Sequence, residues 1–522
     1  MNSSRLASAS FVGLCFAACT GCGGGVNAPP PAQQTTQVQF LDATEVDAAV
    51  KAAAASVNVP MVISVVDRGG NVLALYAKAN APAMALGNFK QTFPAGEVAV
   101  ALARTAAFFS NDQAPLSSRT VRYISGIHFP PGVDNAASAD LYGIENTNRG
   151  CLNTNPATAS FGPKGTLLNG TTHGLGILTG KADMFDSDPT AVNPGGVPLF
   201  KTPGSIGQTG SEAVGGIGVV ADNPDVAEYA ALVGAVGAGL LDPGTVPAPG
   251  AVVIGGITVP FVLQKTQPEG TSPGSADGGY VSGHNPISST GPVPEGDLIP
   301  ETGGAVGGLS ATEVGSIVQN ALARANQTRA VIRLPQGSRA RMVIAVADLD
   351  GTLLAVYRMP DATVFSIDVA IAKARNMTYF NSSTVNPNDL PGVPAGTAVT
   401  NRTISFGAQP LFPSGINGTG PGPFFPLFVK DLANPCSQGS QLAGTPNNQS
   451  GIVFFPGSSG LFRSGSTLVG GLGVSGDGVD QDDFVSAGGA TGWEPPASAR
   501  ADQIVINNVR LPYQKFPRNP TQ

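Results

Sequence analysis

The sequence has little charge, little histidine and little cysteine, and each shortage excludes a class of function. Only 12% of the 522 residues are charged, about half the usual share, which argues against a coiled coil or a charged disordered chain. Three histidines and five cysteines are too few for dense zinc-finger or iron–sulfur sites, and no metal site is expected. The net charge is −7 without any lysine–arginine cluster, so no nucleic-acid partner is expected.

Glycine and proline are abundant instead, with 69 and 44 residues. Hydrophobic residues still make up 42% of the chain, which is enough to bury a sizeable core. At ~100–200 residues per domain, this length allows two to four domains.

The N-terminus has the pattern of an export signal. Arg5 is followed by an uncharged apolar run, 6–18, which is too short to span a bilayer. Small residues, cysteines and glycines then resemble a bacterial lipoprotein signal. We predict that Cys22 carries the lipid, with Cys19 as the second choice, and an ordinary cleaved signal peptide is the alternative. The protein is expected in the cell envelope, in the periplasm or on the outer membrane, held by its lipid anchor.

Sequence motifs recur in the same order in the two parts of the chain. Met61 to Ala77 matches Met342 to Arg358, with nine identities in seventeen positions. The other matching blocks are Leu41–Val46 with Leu309–Val314, Ser118–Thr120 with Asn401–Thr403, Phe129–Val133 with Phe412–Ile416, and Val214–Val219 with Val469–Val474. The shared order predicts a duplicated domain.

These matches divide the chain into six segments. They are a signal (1–22), a flexible tether (23–38), a first domain (39–241), a Gly/Pro-rich linker (242–308), a second domain (309–510) and a C-terminal tail (511–522). The two domains are called the first half and the second half below. One apolar piece of the linker, Val252 to Val262, offers a further strand.

Each half is predicted to begin with a helix. Asp42 and Ser310 stand at N-cap positions, and Glu45 and Glu313 follow three residues later, as in a capping box. Apolar residues then recur at helical spacing in both halves.

A β-hairpin and a second helix are predicted to follow. In the first half the strands are Met61 to Asp67 and Val72 to Tyr76; in the second half the turn is Asp350-Gly351. The second helices are Val98 to Phe109 and Ser366 to Phe380. With the later Gly-Gly-x-Gly strand and a last helix, the order predicts an α+β fold with an antiparallel sheet and packed helices.

Three blocks of the second half are typical of a known family. Val343 to Gly351, Ile371 to Arg375 and Gly471 to Gly476 resemble the GlcG/HbpS/PduO C-terminal family, the haem-degrading, HbpS-like domain. The resemblance implies two tandem profilin-like domains, oligomerisation, and binding or slow breakdown of haem in some members. Other members of the family have no established reaction.

The first half departs from this pattern. Leu102 stands where the second half has Lys373, and Val220-Ala221 replaces Ser475-Gly476. We therefore expect the second half to be the more active one.

Several side chains could bind haem, the cofactor or ligand that the resemblance implies. Lys373, Arg375 and Arg104 lie on the second helices and could pair with propionates, although a solvated helix flank is the alternative. Candidate iron ligands are His128, His173 and Tyr357; the alternatives are loop histidines and a core tyrosine.

The acidic loop Gly476 to Asp483 offers either phosphate binding or helix capping. Its aspartates would repel an anion at a helix start, so capping by Asp477 or Asp480 is predicted. In the first half, cap residues around Asn223 precede Pro224, which suits the first turn of a helix.

Cys151 and Cys436 are predicted to form a disulfide, with two free thiols as the alternative. They are 285 residues apart, and the matching Gly132 and Gly415 are 283 apart, so the cysteines occupy nearly corresponding positions. Corresponding residues meet only near a two-fold axis, which predicts that the halves pack as an intramolecular pseudo-dimer.

The resulting expectation is an exported, lipid-anchored protein that binds haem or a related tetrapyrrole. Haem breakdown is a further option, and whether the protein is an enzyme stays open. Two alternatives remain: a non-catalytic envelope lipoprotein that binds or senses another small ligand, and a structural protein that kept only the fold.

Overall fold

The structure is a computed structural model that describes residues 39–149, 151, 175–188, 193–201, 211–242, 253–254, 257–441 and 450–521. From Gln39 onward the chain forms one compact unit. The predictions for Cys19, Cys22 and His173 lie outside the described residues. Within the described part, no helix combines the length and apolar character that crossing a membrane requires.

Helices and short strands alternate along both halves. The described helices are α1 (Ala43–Ser56), α2 (Ala95–Phe109), α3 (Ser118–Tyr123), α4 (Pro224–Gly237), α5 (Ala311–Gln327), α6 (Phe365–Phe380), α7 (Asn401–Gly407), α8 (Phe425–Ala433) and α9 (Val479–Gly489). The strands are β1 (Val62–Asp67), β2 (Val72–Ala77), β3 (Met84–Leu86), β4 (Thr92–Pro94), β5 (Gly196–Lys201), β6 (Glu212–Val220), β7 (Val253–Ile254), β8 (Ile257–Thr258), β9 (Gly279–Tyr280), β10 (Gly296–Ile299), β11 (Met342–Ala347), β12 (Leu353–Arg358), β13 (Ser458–Arg463), β14 (Thr467–Gly476), β15 (Val505–Ile506) and β16 (Val509–Arg510).

Two five-stranded sheets share one strand order. The first runs β5-β6-β1-β2-β9 and the second runs β13-β14-β11-β12-β10. In both, the predicted hairpin lies in the middle and pairs antiparallel with the Gly-Gly-x-Gly strand, β6 or β14. The predicted antiparallel α+β class is confirmed.

The segment 242–308, predicted as a linker, does more than connect. Its residues Gly279–Tyr280 pair with β2, and Gly296–Ile299 pair with β12, so it supplies one edge strand to each sheet. The strand expected between Val252 and Val262 is instead a small separate hairpin, β7 and β8. These edge strands are too short to show a pattern in the sequence, although Leu298 and Ile299 of β10 are buried in the core.

Glycines let the second helix of each half touch the sheet. A Cβ atom at Gly471 would lie 2.1 Å from the carbonyl oxygen of Ala374 on α6, and one at Gly216 would lie 2.2 Å from that of Ala103 on α2. Any side chain at these glycines would therefore push the helix away. This close approach explains the repeated Gly-Gly-x-Gly block, because alternate strand residues face the helix.

The helix caps agree with the predictions except at one helix. Capping boxes are present at Asp42 and Ser310, and Asn223 caps α4. At α9 the prediction was wrong, because the helix starts after Gly478 without a side-chain cap. Asp477 instead accepts hydrogen bonds from the Arg333 side chain and the Arg341 amide. Asp480, the other predicted cap, pairs with Arg402 and Lys515. Asp477 and Asp480 therefore both bind cations from distant parts of the chain.

One hydrophobic cluster spans the two halves, while most of the first half's sheet packs in a cluster of its own. The spanning cluster contains residues of α2 and α3 from the first half and most of the second half's sheet and helices. At its centre the rings of Phe109 and Phe365 lie 4.3 Å apart. The halves are therefore joined by buried apolar surface as well as by the chain.

Corresponding positions of the two halves contact each other at several places. Cys151 and Cys436 form the predicted disulfide, with Cα atoms 5.2 Å apart and a sequence separation of 285. The Asn146 amide donates to Asp431 at 2.7 Å, and Asn417 donates to Asp134 at 3.0 Å, with separations of 285 and 283. Such contacts are those that a two-fold relation between the halves requires.

Candidate functional site

A cleft of about 370 Å³ lies where the two halves and the C-terminal tail meet. Its volume falls in the range of small-molecule sites, roughly 300–1,000 Å³. The first half contributes Phe109, Leu116, Ile124, Phe129, Asp140 and Leu141; the second half contributes Arg329, Val331, Ile332, Thr363, Phe365, Phe455 and the run from Ser475 to Asp482 apart from Asp477; the tail contributes Lys515, Pro517 and Arg518.

Aromatic rings form the apolar wall of this cleft. Phe109 ends α2, Phe365 begins α6, and Phe455 precedes β13. Phe365 stacks on Phe455 with ring centres 6.0 Å apart and packs against Phe109. The fold thus places three rings side by side, a surface suited to a flat hydrophobic ligand.

Three exposed cations line the cleft, together with the carboxylates of Asp140 and Asp480. Arg329, Lys515 and Arg518 are exposed, and only Lys515 has an ion-pair partner among the described residues. That pair, Lys515 Nζ to Asp480 Oδ2 at 2.9 Å, is 66% exposed on the lysine side and contributes little stability. These cations are therefore available to a ligand's carboxylates.

A buried ion pair lies directly behind the aromatic wall. Lys373 Nζ donates to the carbonyl oxygen of Val474 at 2.8 Å and to Asp482 Oδ2 at 3.1 Å, and it lies 5.0 Å from the ring centre of Phe455. Lys373 is 0% exposed and Asp482 is 2% exposed. Burial raises the pKa of Asp482 to about 7 and lowers the pKa of Lys373, while each partner opposes the other's shift.

One oxygen of this pair is left without a hydrogen bond. Asp482 Oδ1 is closed to solvent and has no partner within the described part of the chain. Nearby, Ser475 donates to the Ser366 hydroxyl at 3.1 Å, and both Ser475 and Gly476 line or border the cleft. Lys373 and the Ser475-Gly476 motif, singled out in the sequence, are thus brought to one place.

The first half has a cavity at the corresponding place, of about 500 Å³. Leu102 takes the position of Lys373, and Ala227 takes that of Asp482. The whole ion pair is therefore replaced by two apolar side chains. Only the Leu102 difference was identified from the sequence. Ala227 and Asp482 also correspond, because each lies nine residues after a matched glycine, Gly218 or Gly473.

Arg104 and Arg375 lie away from the cleft and hold the hairpin turns. Arg104 Nε donates to the carbonyl oxygen of Gly70 at 2.9 Å, and Arg375 Nε donates to that of Gly351 at 2.8 Å. Both side chains are buried, which lowers the pKa of each to about 10. The alternative of a solvated helix flank is wrong, because these guanidinium groups are buried and bind backbone inside the fold.

Two predicted iron ligands, His128 and Tyr357, do not line the cleft, and the third, His173, lies outside the described residues. His128 is buried, with Nδ1 2.7 Å from the carbonyl oxygen of Ala136, and Tyr357 is half-buried on β12. Among the described residues that line the cleft there is no histidine, cysteine, methionine or tyrosine. The described lining therefore offers apolar rings and exposed cations, but no ordinary axial ligand for a haem iron.

Comparison with known proteins points in the same direction as the motifs. Residues 309–490 match the family model described as "Haem degrading protein HbpS-like". A search of curated proteins finds no match.

Two solved structures are similar to part of the chain. The crystal structure of a PduOC:heme complex is 23% identical, with 35% of this chain and 94% of that chain covered and a TM-score of 0.23. The structure of protein ORFY from Klebsiella pneumoniae is 18% identical, with 35% and 88% covered and the same TM-score of 0.23.

Proposed function

We propose that the cleft between the halves binds haem or a closely related tetrapyrrole. The observation that carries this proposal is the combination of three phenylalanine rings packed against one another with exposed cations at the opening. A tetrapyrrole has the matching shape, a broad apolar ring system with carboxylates at one edge. The HbpS-like match over 309–490 supports the same ligand class.

The residues divide the binding work in a simple way. Phe109, Phe365 and Phe455 would cover the apolar ring, while Lys515 and Arg518 would bind its carboxylates. Water would be excluded from the ring because these walls are buried. No residue is assigned a step in haem breakdown, since the proposal concerns binding.

The first half is a second HbpS-like domain in this proposal. The shared strand order and the matched Arg104 and Arg375 contacts support it. The first half would act mainly as the other wall of the cleft, contributing Phe109 and Phe129. The chain would then be an intramolecular pseudo-dimer, exported and anchored through lipid on Cys22.

A second candidate is an envelope lipoprotein that binds another flat, acidic small molecule without turnover. The absence of an ordinary iron ligand among the described lining residues favours this candidate. The two candidates differ in whether hemin gives a bound-state visible spectrum.

The test is a hemin titration of the purified full-length protein in detergent, followed by visible absorption. We expect a saturable shift of the Soret band with one ligand per chain. Reversing two exposed charges at the opening, Lys515→Glu with Arg518→Glu, should weaken binding at least about tenfold. Arg510→Glu, an exposed cation on β16 outside the cleft lining, is the matched control and should bind as the unaltered protein does. An unaltered protein that gives no saturable shift with hemin and binds no related tetrapyrrole would refute the proposal.

A further inference from the structure

The unpaired oxygen of Asp482 tells more about the ligand than the aromatic wall does. A buried acceptor without a donor is unfavourable, and more so when it belongs to a carboxylate. Lys373 occupies only Oδ2, whereas Oδ1 has no partner among the described residues. A ligand that brought an N–H group to this carboxylate would remove that penalty.

Tetrapyrroles differ in the N–H groups that they can offer. Haem has none, because all four pyrrole nitrogens bind iron. A metal-free porphyrin has two, but they point to the centre of a closed ring and cannot reach a side chain at its edge. An open-chain tetrapyrrole has pyrrole and lactam N–H groups that a carboxylate beside the ring system can reach.

We propose that the cleft prefers an open-chain tetrapyrrole, which donates a ring N–H to Asp482 and places its carboxylates on the cations at the opening. This inference rests on the proposed function and names the form of the ligand. Three features agree with it: the unpaired Oδ1 of Asp482, the cationic opening, and a described lining without an ordinary iron ligand.

Lys373 acts as a positioning residue in this arrangement. Its hydrogen bonds to Val474 and Asp482 hold the carboxylate beside Phe455, at the back of the aromatic wall. Asp482 lines the cleft, so a modest turn of its side chain towards the cleft would present the free oxygen to the ligand while the other oxygen keeps the lysine. The apolar pair Leu102 and Ala227 leaves the first-half cavity without such an acceptor.

The experiment compares three ligands on the full-length protein: biliverdin, protoporphyrin IX and hemin. We expect biliverdin to bind at least about tenfold more tightly than protoporphyrin IX, with a sharpened and stronger red absorption band. Asp482→Asn should remove most of that preference and leave protoporphyrin IX binding within about twofold. Asp225→Asn, on an exposed position of α4 in the first half, is the matched control.

A second variant guards against loss of folding. Lys373→Leu with Asp482→Ala copies the Leu102 and Ala227 of the first half, so it removes the acceptor without leaving a lone buried charge. It should lose the biliverdin preference as Asp482→Asn does. The inference is overturned if the double variant keeps the preference, or if the unaltered protein binds hemin as tightly as biliverdin. Failure of all three ligands to bind would instead refute the proposed function.

Discussion

At the scale of single residues, the clearest difference between the halves is one buried pair. Lys373 and Asp482 are both almost fully buried, and Leu102 and Ala227 occupy the same places in the first half. The two charges have therefore been exchanged for apolar groups together. This is the change that physical chemistry favours, because a lone buried charge costs far more than either complete pair.

A double-mutant cycle tests this coupling. Lys373→Leu alone and Asp482→Ala alone should each lower the free energy of unfolding by about 3–5 kcal/mol, because each leaves one buried charge unpaired. The double variant should lose much less than the sum of the two. Denaturant unfolding at pH 7 measures all four proteins, and strict additivity would show that the pair is not coupled.

At the scale of elements, a corresponding arginine of each half joins the second helix to the hairpin turn, and in the first half Arg68 also donates to Ala107 of α2. Arg104 and Arg375 reach the turn carbonyls of Gly70 and Gly351 from the same face of α2 and α6. Each hydrogen bond lies at the end of the sheet, where the carbonyl groups of the turn have no partner on a neighbouring strand.

Replacing either arginine should affect stability and spare the ligand. Arg104→Met and Arg375→Met keep much of the apolar stem, so each is expected to cost about 1.5–3 kcal/mol, as for a lost hydrogen bond to a charged group. Hemin affinity of the folded variants should stay unchanged, since neither arginine lines the cleft. A variant that keeps full stability but loses most of its hemin binding would show that these arginines contribute to ligand binding.

How far the sequence predicted these elements depends on the range of the interaction involved. The caps at Asp42 and Ser310 and the Gly-Gly-x-Gly strand were predictable, because each depends on residues a few positions apart. The edge strands β9 and β10 were not, because their pairing comes from strands far away in the chain. For the same reason the sequence did not predict that Asp477 pairs with Arg333 or that Lys373 pairs with Asp482.

At the scale of the whole molecule, carboxylates of the two halves lie close together, Asp112 from the first half and Asp361 from the second. The backbone amide of Asp112 donates to the Asp361 carboxylate at 3.1 Å, and Asp112 Oδ1 accepts from Ala213 at 2.9 Å. Burial, and then the nearby Asp361, raise the pKa of the Asp112 carboxyl to about 7.

This cluster predicts a pH dependence of stability. The pKa of Asp112 is near 3.9 in the unfolded chain and higher in the folded one, so the folded state holds the proton more strongly. Its contribution to stability is complete below about pH 4 and is lost as the pH rises towards 7. Asp112→Asn should therefore gain stability relative to the unaltered protein over that window, as measured by unfolding at several pH values. A difference that does not change with pH would contradict this.

Attachment to the membrane is a prediction for the whole chain as well. If Cys22 carries lipid, the mature protein partitions into the detergent phase, and Cys22→Ser moves it to the aqueous phase. Unchanged partitioning of Cys22→Ser would point to Cys19, and an aqueous unaltered protein would rule out both. The 23–38 tether would then separate the folded unit from the membrane surface.

The linker's two edge strands have a consequence for where the chain can be cut. Backbone contacts assign the linker up to Ser289 to the first half, through Leu73 and Leu41, whereas Val293 accepts a bond from Arg358 of the second half. A protease site inserted at Gly291 would thus give two fragments, each with its complete five-stranded sheet. The Cys151–Cys436 bond would keep them as one species on a non-reducing gel, and a reducing gel would separate them. The protein is in this sense already a pair of complementing fragments that happen to be made as one polypeptide.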